Sequence, residues 1–293
     1  MTSVINSIKT RFRQKDILIQ LIIINVSIFL VLAIITLISK LFKLSPFYIL
    51  DYIGVSSDPL LVLKRPWTLL TYMFVHVDFI HILLNMLFLY WFGQIFLNYF
   101  NAKNLGSLYV LGGLAGAALY ILAFNTVPYY IDMGNVPMIG ASASTTAIMF
   151  AAAFYNPKAE VNLFFVLRIK IIYIAIAIFI IDFISLGDNS NPGGHVAHIG
   201  GAILGYIYAR QYLKGKDITR WVSRIIDWGA NLFKPKPPKM KVKYKRKETD
   251  YEYNERRKNE TEEIDRILDK IKASGYSSLT QNEKKRLFDA GKK

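Results

Sequence analysis

Six apolar blocks run through the first 213 residues of this chain, at roughly 17–40, 79–99, 104–126, 141–155, 168–186 and 194–213. A helix needs about 20 apolar residues to cross the hydrocarbon core, which is about 30 Å thick. Backbone amides in hydrocarbon must be satisfied within their own segment, and only a helix does this for a lone segment. Breakers divide the blocks: Pro46 and Pro66, Asn101 and Asn104, Pro128 and Pro137, Asn156-Pro157, and Asn191-Pro192-Gly193-Gly194. The pattern predicts an all-α membrane protein with six transmembrane helices. The fourth block is short. About 15 residues rise only about 22 Å, so this helix starts below the membrane surface, at the floor of a cavity.

Charge orients the bundle. Residues 1–16 are basic, the 156–170 connection carries Lys158, Arg168 and Lys170, and the 127–139 and 187–194 connections have neither Lys nor Arg. The positive-inside rule then puts both termini in the cytoplasm, against the contrary vote of the long 41–78 loop. Residues 17–40 are too long for a signal-peptide core and read as a retained first helix. Residues 214–293 hold 23 Lys+Arg against 13 Asp+Glu. A tail beside an anionic leaflet accounts for that excess better than nucleic acid does, so membrane lipid is an expected partner and nucleic acid is not. The expected division is a basic N-terminus (1–16), a membrane domain (17–213), a basic Pro-rich linker (214–263) and a small helical module (264–293). The chain has no cysteine, which excludes disulfides, Cys-ligated zinc and thiol nucleophiles.

All four histidines lie in two apolar stretches, His76 and His81 in FVHVDFIHILLNMLF and His195 and His198 in GGHVAHIGGAILGY. Ionisable residues in a membrane point to function. Between the clusters, Gly140-Ala141-Ser142-Ala143 opens the short fourth block. With the predicted topology, His81, Asn85, Ser142 and His198 all fall at similar depth on the outer side. A serine needs a base to become a nucleophile, and neutral imidazole supplies one. Ser142 is therefore the candidate nucleophile and His198 the candidate base. The Ser142 amide, His81 and Asn85 are candidate oxyanion donors. No membrane carboxylate stands out as an orienter for His198, so a Ser-His dyad is expected. Gly201 and Gly205, with Ala143, Ala147 and Ala151, supply small faces for close helix packing, and Gly112 with Gly116 is expected to serve packing alone. Ser144 is a rival nucleophile without the preceding Gly-x step. Asp78 with Asp182 is an aspartyl-protease alternative that lacks a Gly-x-Gly-Asp. A metal site on the histidine clusters would lack the usual Glu base, since Glu160 is the sole glutamate before the tail. No metal or other cofactor is expected.

Trp67 with Thr71, His81-x-x-x-Asn85, Gly140-x-Ser142 and Ala197-His198-x-x-Gly201, in this order across six spans, resemble the rhomboid family of intramembrane serine proteases. The resemblance covers about residues 17–213. It implies a six-helix rhomboid-like bundle, a Ser142 nucleophile, a His198 base, and oxyanion support from His81, Asn85 and the Gly140 turn. It also implies single-pass transmembrane substrates cleaved near the outer membrane face through an acyl-enzyme. The chain departs from the family pattern at Thr68 after the loop tryptophan, with Arg65 nearby, at Ala143 after the nucleophile, and at Thr146, where an aromatic commonly packs against the imidazole. Residues 264–291 resemble a helical module found after some bacterial rhomboid-like cores. The expected location is a bacterial plasma (inner) membrane. The alternatives are an inactive rhomboid-like binding protein, a transporter built on broken helices, or a metal-dependent intramembrane protein using the histidines.

Overall fold

The computed structural model describes residues 16–43, 49–163, 167–188, 191–232 and 248–291. The chain forms two compact units, residues 1–234 and 235–293. The basic N-terminus, apart from Asp16, and much of the Pro-rich linker lie outside the described residues.

In the first unit, α1 (Ile17–Leu41) is capped by Asp16, whose carboxylate accepts from the Leu18 amide. A loop with three short helices follows: α2 (Ile49–Ile53), α3 (Pro59–Lys64) and α4 (Thr68–Thr71). Next come α5 (Phe79–Leu97) and α6 (Ala102–Thr126), started by the side chains of Asp78 and Asn101. A one-turn α7 (Pro128–Ile131) leads to α8 (Ser142–Tyr155), α9 (Ile171–Ile184) and α10 (Pro192–Leu213). Among the described residues, three helices, α1, α5 and α6, are long and apolar enough to cross a membrane. Leu30, Val31, Ile34 and Leu37 on α1 and Ile180, Ile181 and Ile184 on α9 are exposed. Contiguous apolar surface of this kind is unstable in water and stable in hydrocarbon. The protein is a membrane protein.

Helix α8 is the centre of the core. Every residue from Ala143 to Ala153 is buried, and its 14 residues rise about 21 Å, short of a hydrocarbon core. Glycines on its neighbours explain how a helix can be enclosed so tightly. A Cβ on Gly112 or Gly116 of α6 would lie 2.5 Å from the Cβ of Ala147 or 2.6 Å from that of Ala143. A Cβ on Gly201 or Gly205 of α10 would collide with the carbonyl oxygens of Ala143 or Ala147. The expected small-residue faces therefore meet, and the α6 glycines pack on α8 as well. Polar bonds join the other helices: Asn25 Nδ2 to Tyr109 Oη (3.2 Å), Tyr109 Oη to the Met73 carbonyl (2.8 Å), and Asn104 Nδ2 to Tyr208 Oη (2.7 Å).

Two expectations change. The fifth block does not begin as helix at 168. Residues Glu160–Leu163 (β1) and Leu167–Lys170 (β2) pair as an antiparallel hairpin, and α9 starts at Ile171. The β-branched and polar alternation around Val161, Asn162, Arg168 and Ile169 suits a ribbon better than a span. Residues 214–263 are not linker throughout either. Helix α11 (Arg220–Leu232) follows the bundle, with Val222 buried, Ser223 hydrogen-bonded to Ser107 (2.7 Å) and Asp227 paired with Lys103 (2.6 Å).

The second unit is a helical hairpin, α12 (Asp250–Ser274) and α13 (Gln281–Ala290), so helix begins well before residue 264. Reciprocal capping boxes start both helices, Thr249 with Glu252 and Thr280 with Glu283. Lys270 on α12 pairs with Glu283 (2.9 Å), and Arg286 pairs with Glu263.

Candidate active site

Residues 136–141 approach α8 as an irregular strip held from several sides. Val55 and Met138 exchange backbone hydrogen bonds (3.0 and 2.9 Å), Tyr120 Oη donates to the Val136 carbonyl, and the Gly140 amide donates to the Tyr72 carbonyl (2.9 Å). The Ala141 amide donates to Nε2 of the buried His76 (3.3 Å). Gly140 has φ +121°, a conformation that L side chains rarely adopt. A Cβ there would also meet the His81 ring at 2.9 Å. The glycine thus turns the chain and lets His81 approach. Ser142 follows as the first residue of α8. The first amides of a helix have no intrahelical partner and carry its positive end, so this turn presents donors beside the hydroxyl.

Helix α5 brings His81 and Asn85. The His81 amide is held by Asp78 Oδ1 (2.8 Å), and Asn85 Nδ2 donates to the His81 carbonyl (2.9 Å), leaving the second amide proton for another acceptor. Helix α10 brings His195 and His198. His81, Asn85, Ser142, Thr146, Asp182, Asn191 and His198 all line one open cavity of about 310 Å³. Its walls include Phe88, Phe92, Met149 and Ile178. Gly140 borders the cavity through its contact with His81, whereas Gly201 and Gly205 lie at the α8 interface. The candidates from three distant stretches therefore converge. Ser144 is fully buried.

The expectation that no carboxylate orients His198 is overturned. Asp182 Oδ1 lies 2.8 Å from His198 Nδ1 and 2.9 Å from His195 Nδ1. A carboxylate accepts, so both Nδ1 atoms donate, and in a neutral ring with this tautomer the proton-free nitrogen is Nε2. Thr146 lines the same cavity, and Asp182 braces the imidazole from α9. These three residues each offer a ligand atom within 4.8 Å of the others, so among the described residues they form a cluster that could hold a metal. His76 holds the backbone ahead of Ser142, and its ring packs edge-on to that of His81 (5.1 Å).

The loop between α1 and α5 is tied together by the residues singled out from sequence. Trp67 Nε1 donates to the Tyr52 carbonyl (2.8 Å) and Thr71 Oγ1 to the Ile53 carbonyl (2.7 Å). Arg65 lies over the Tyr52 ring and donates to the Asp51 carbonyl. Thr68 Oγ1 donates to the Arg65 carbonyl (2.7 Å).

The family model of the Rhomboid domain matches residues 63–215. The chain belongs to the rhomboid family. RHOMBOID-like protein 12, mitochondrial, of Arabidopsis thaliana is 32% identical over 162 residues, which cover 52% of this chain and 48% of that protein. The chain thus spans about half the length of this curated relative. Residues 247–293 match a family of unknown function (DUF6576). The rhomboid match takes in every candidate site residue, and the second match begins within three residues of α12.

Two features escaped sequence reasoning. Asp182 had a signal, a lone carboxylate inside the apolar run IIYIAIAIFIIDFI, but it was weighed as an acid in its own right rather than as a partner of histidines on the next helix. For the acceptor role of His76 toward Ala141, 65 residues away, no sequence signal existed.

Proposed function

We propose that this rhomboid is an intramembrane serine endopeptidase whose nucleophile is Ser142. The observation that carries the reading is the shared cavity of Ser142, His81, Asn85 and His198, with Asp182 hydrogen-bonded to the far nitrogen of His198. In this reading His198 Nε2 takes the proton of Ser142 Oγ as the oxygen attacks the scissile carbonyl. Asp182 keeps the Nδ1 proton in place and stabilises the imidazolium that forms, which replaces the expected dyad by a Ser-His-Asp relay. The developing oxyanion is met by the Ser142 amide, the free amide proton of Asn85 and His81. The imidazolium then protonates the leaving amine, and a water deprotonated by His198 releases the acyl group. No step calls for a metal.

The proposed topology has six spans, α1, α5, α6, α8, α9 and α10, with both termini in the cytoplasm. Its support is the charge-poor 127–139 and 187–194 connections against the basic 156–170 hairpin. The cavity then opens toward the outer face, and the substrates are single-pass helices cut near that face. The proposed location is a bacterial plasma membrane. The relative's name makes an organellar membrane the competitor, and fractionation separates the two.

The test is cleavage of a reporter membrane helix in liposomes by wild type, Ser142→Ala, Ser144→Ala and His198→Ala. Cleavage retained by Ser144→Ala alone among the variants is expected. A wild type that is inert on several reporters and is not labelled by a fluorophosphonate would favour a rhomboid-like binding protein.

A further inference from the structure

The proposed relay needs one imidazole on Asp182, and the structure provides two. Asp182, His195 and His198 each offer a ligand atom within 4.8 Å of the others, and Asp182 Oδ1 lies 2.9 and 2.8 Å from the Nδ1 atoms of His195 and His198. Zinc binds imidazole nitrogen and carboxylate oxygen at about 2.0–2.2 Å in a tetrahedron, which sets such ligand atoms about 3.3 Å apart. Each Nδ1–H that donates to Oδ1 aims that nitrogen at the carboxylate, so a cation would take the place of the two protons while Oδ1 draws back to become the third corner of that tetrahedron, with water as the fourth. Two imidazoles and a carboxylate are a donor set suited to zinc and its neighbours in the first transition row. The cluster is reachable, because Asp182 and His198 line the open cavity and the His195 side chain is 17% exposed.

We infer that Asp182, His195 and His198 form a zinc-class divalent-cation site that switches the protease off. The inference rests on the serine-protease reading of the same cavity. The switch is one of tautomer. Without the cation, His198 donates Nδ1–H to Asp182 and its Nε2 is bare, ready to take the serine proton. A cation on Nδ1 displaces that proton, and a neutral imidazole bound through Nδ1 carries its one proton on Nε2. No proton is gained or lost by the ring. Nε2–H now donates and cannot act as base, while Asp182 is withdrawn to the metal. His195 supplies the third ligand and has no step in the proposed hydrolysis.

The test uses the full chain, purified in detergent, with zinc ion alone and with cobalt(II) as its spectroscopic stand-in. One equivalent of cobalt is expected to give the visible absorption of a four- or five-coordinate ion in wild type and in Ser142→Ala. Zinc is expected to slow fluorophosphonate labelling of Ser142 at least about tenfold, reversibly with a chelator. His195→Gln, each rate referred to its own zinc-free value, should raise the zinc needed by about 10–100-fold or more, since loss of even an outer-shell partner of a metal site costs that much. Zinc binding unaffected by His195→Gln, zinc that binds without slowing labelling, or zinc that accelerates cleavage would each overturn the inference. Absent labelling in metal-free wild type would count against the protease reading, while the cobalt spectrum would still report on the site.

Discussion

Asp182 changes the chemistry assigned to His198 more than any other side chain. Its Oδ1 accepts from Nδ1 at 2.8 Å, which fixes the tautomer that leaves Nε2 basic. Asp182→Asn keeps the shape but offers an amide N–H where an acceptor is needed. In the Ser-His-Asp template this swap lowers kcat by about 10⁴-fold through the wrong tautomer. We expect a fall of on the order of 10²–10⁴-fold here, with KM and the thermal midpoint little changed. Steady-state cleavage and thermal unfolding in one detergent check this. An unchanged kcat would mean that His198 is held by something other than the carboxylate. His76 works at the same scale but on the backbone, accepting from the Ala141 amide just ahead of the nucleophile.

At the scale of elements, the site depends on how closely α10 lies against α8. Gly201 has no room for a methyl group, since its Cβ would fall 3.0 Å from the Ala143 carbonyl carbon and closer still to its oxygen. Both sides of that contact are backbone, so neither yields by rotating a side chain. Gly201→Ala should cost about 1–3 kcal/mol as an overpacked core and move His198 away from Ser142. Loss of both stability and cleavage is expected, against Gly187→Ala as a control, where nothing lies within 4 Å of the added carbon. The C-terminal hairpin makes a different prediction. Glu283 is held at a pKa of about 2 by the Thr280 amide first and by Lys270 second. A carboxyl depressed in the folded state contributes stability that is complete above its unfolded value, about 4.3, and is lost as pH falls through about 2. Circular dichroism of residues 247–293 should show helix lost across that window, and Glu283→Gln should flatten the change.

For the whole molecule, the claim to check is orientation. The chain has no cysteine, so single cysteines report sidedness without background. Asp132 and Lys158 are exposed in connections at the two ends of α8. In sealed cells, Asp132→Cys is expected to react with a membrane-impermeant maleimide and Lys158→Cys only after lysis. The reverse pattern would invert the proposed topology and put the cavity on the cytoplasmic side.

Much of this protein was legible in the residues alone. Apolar block length and its breakers determined helices close to the observed α1, α5, α6, α8 and α10, because backbone satisfaction in hydrocarbon is a local requirement that each segment meets by itself. The grouping of Ser142, His198, His81 and Asn85 around one cavity was legible because their spacing within a segment places them on one face or at one helix end. The misreadings share a cause. Residues 160–170 became a hairpin through pairing across a turn, and α11 gained its helix through an amphipathic face docked on α6 within what read as linker. The partnership of Asp182 with His198 and the grip of His76 on Ala141 join residues on separate elements. Such contacts depend on the rotation and separation of packed helices, which here follow from glycines meeting backbone around α8. Sequence determined which groups were available and on which segment. Tertiary packing alone decided which of them touch.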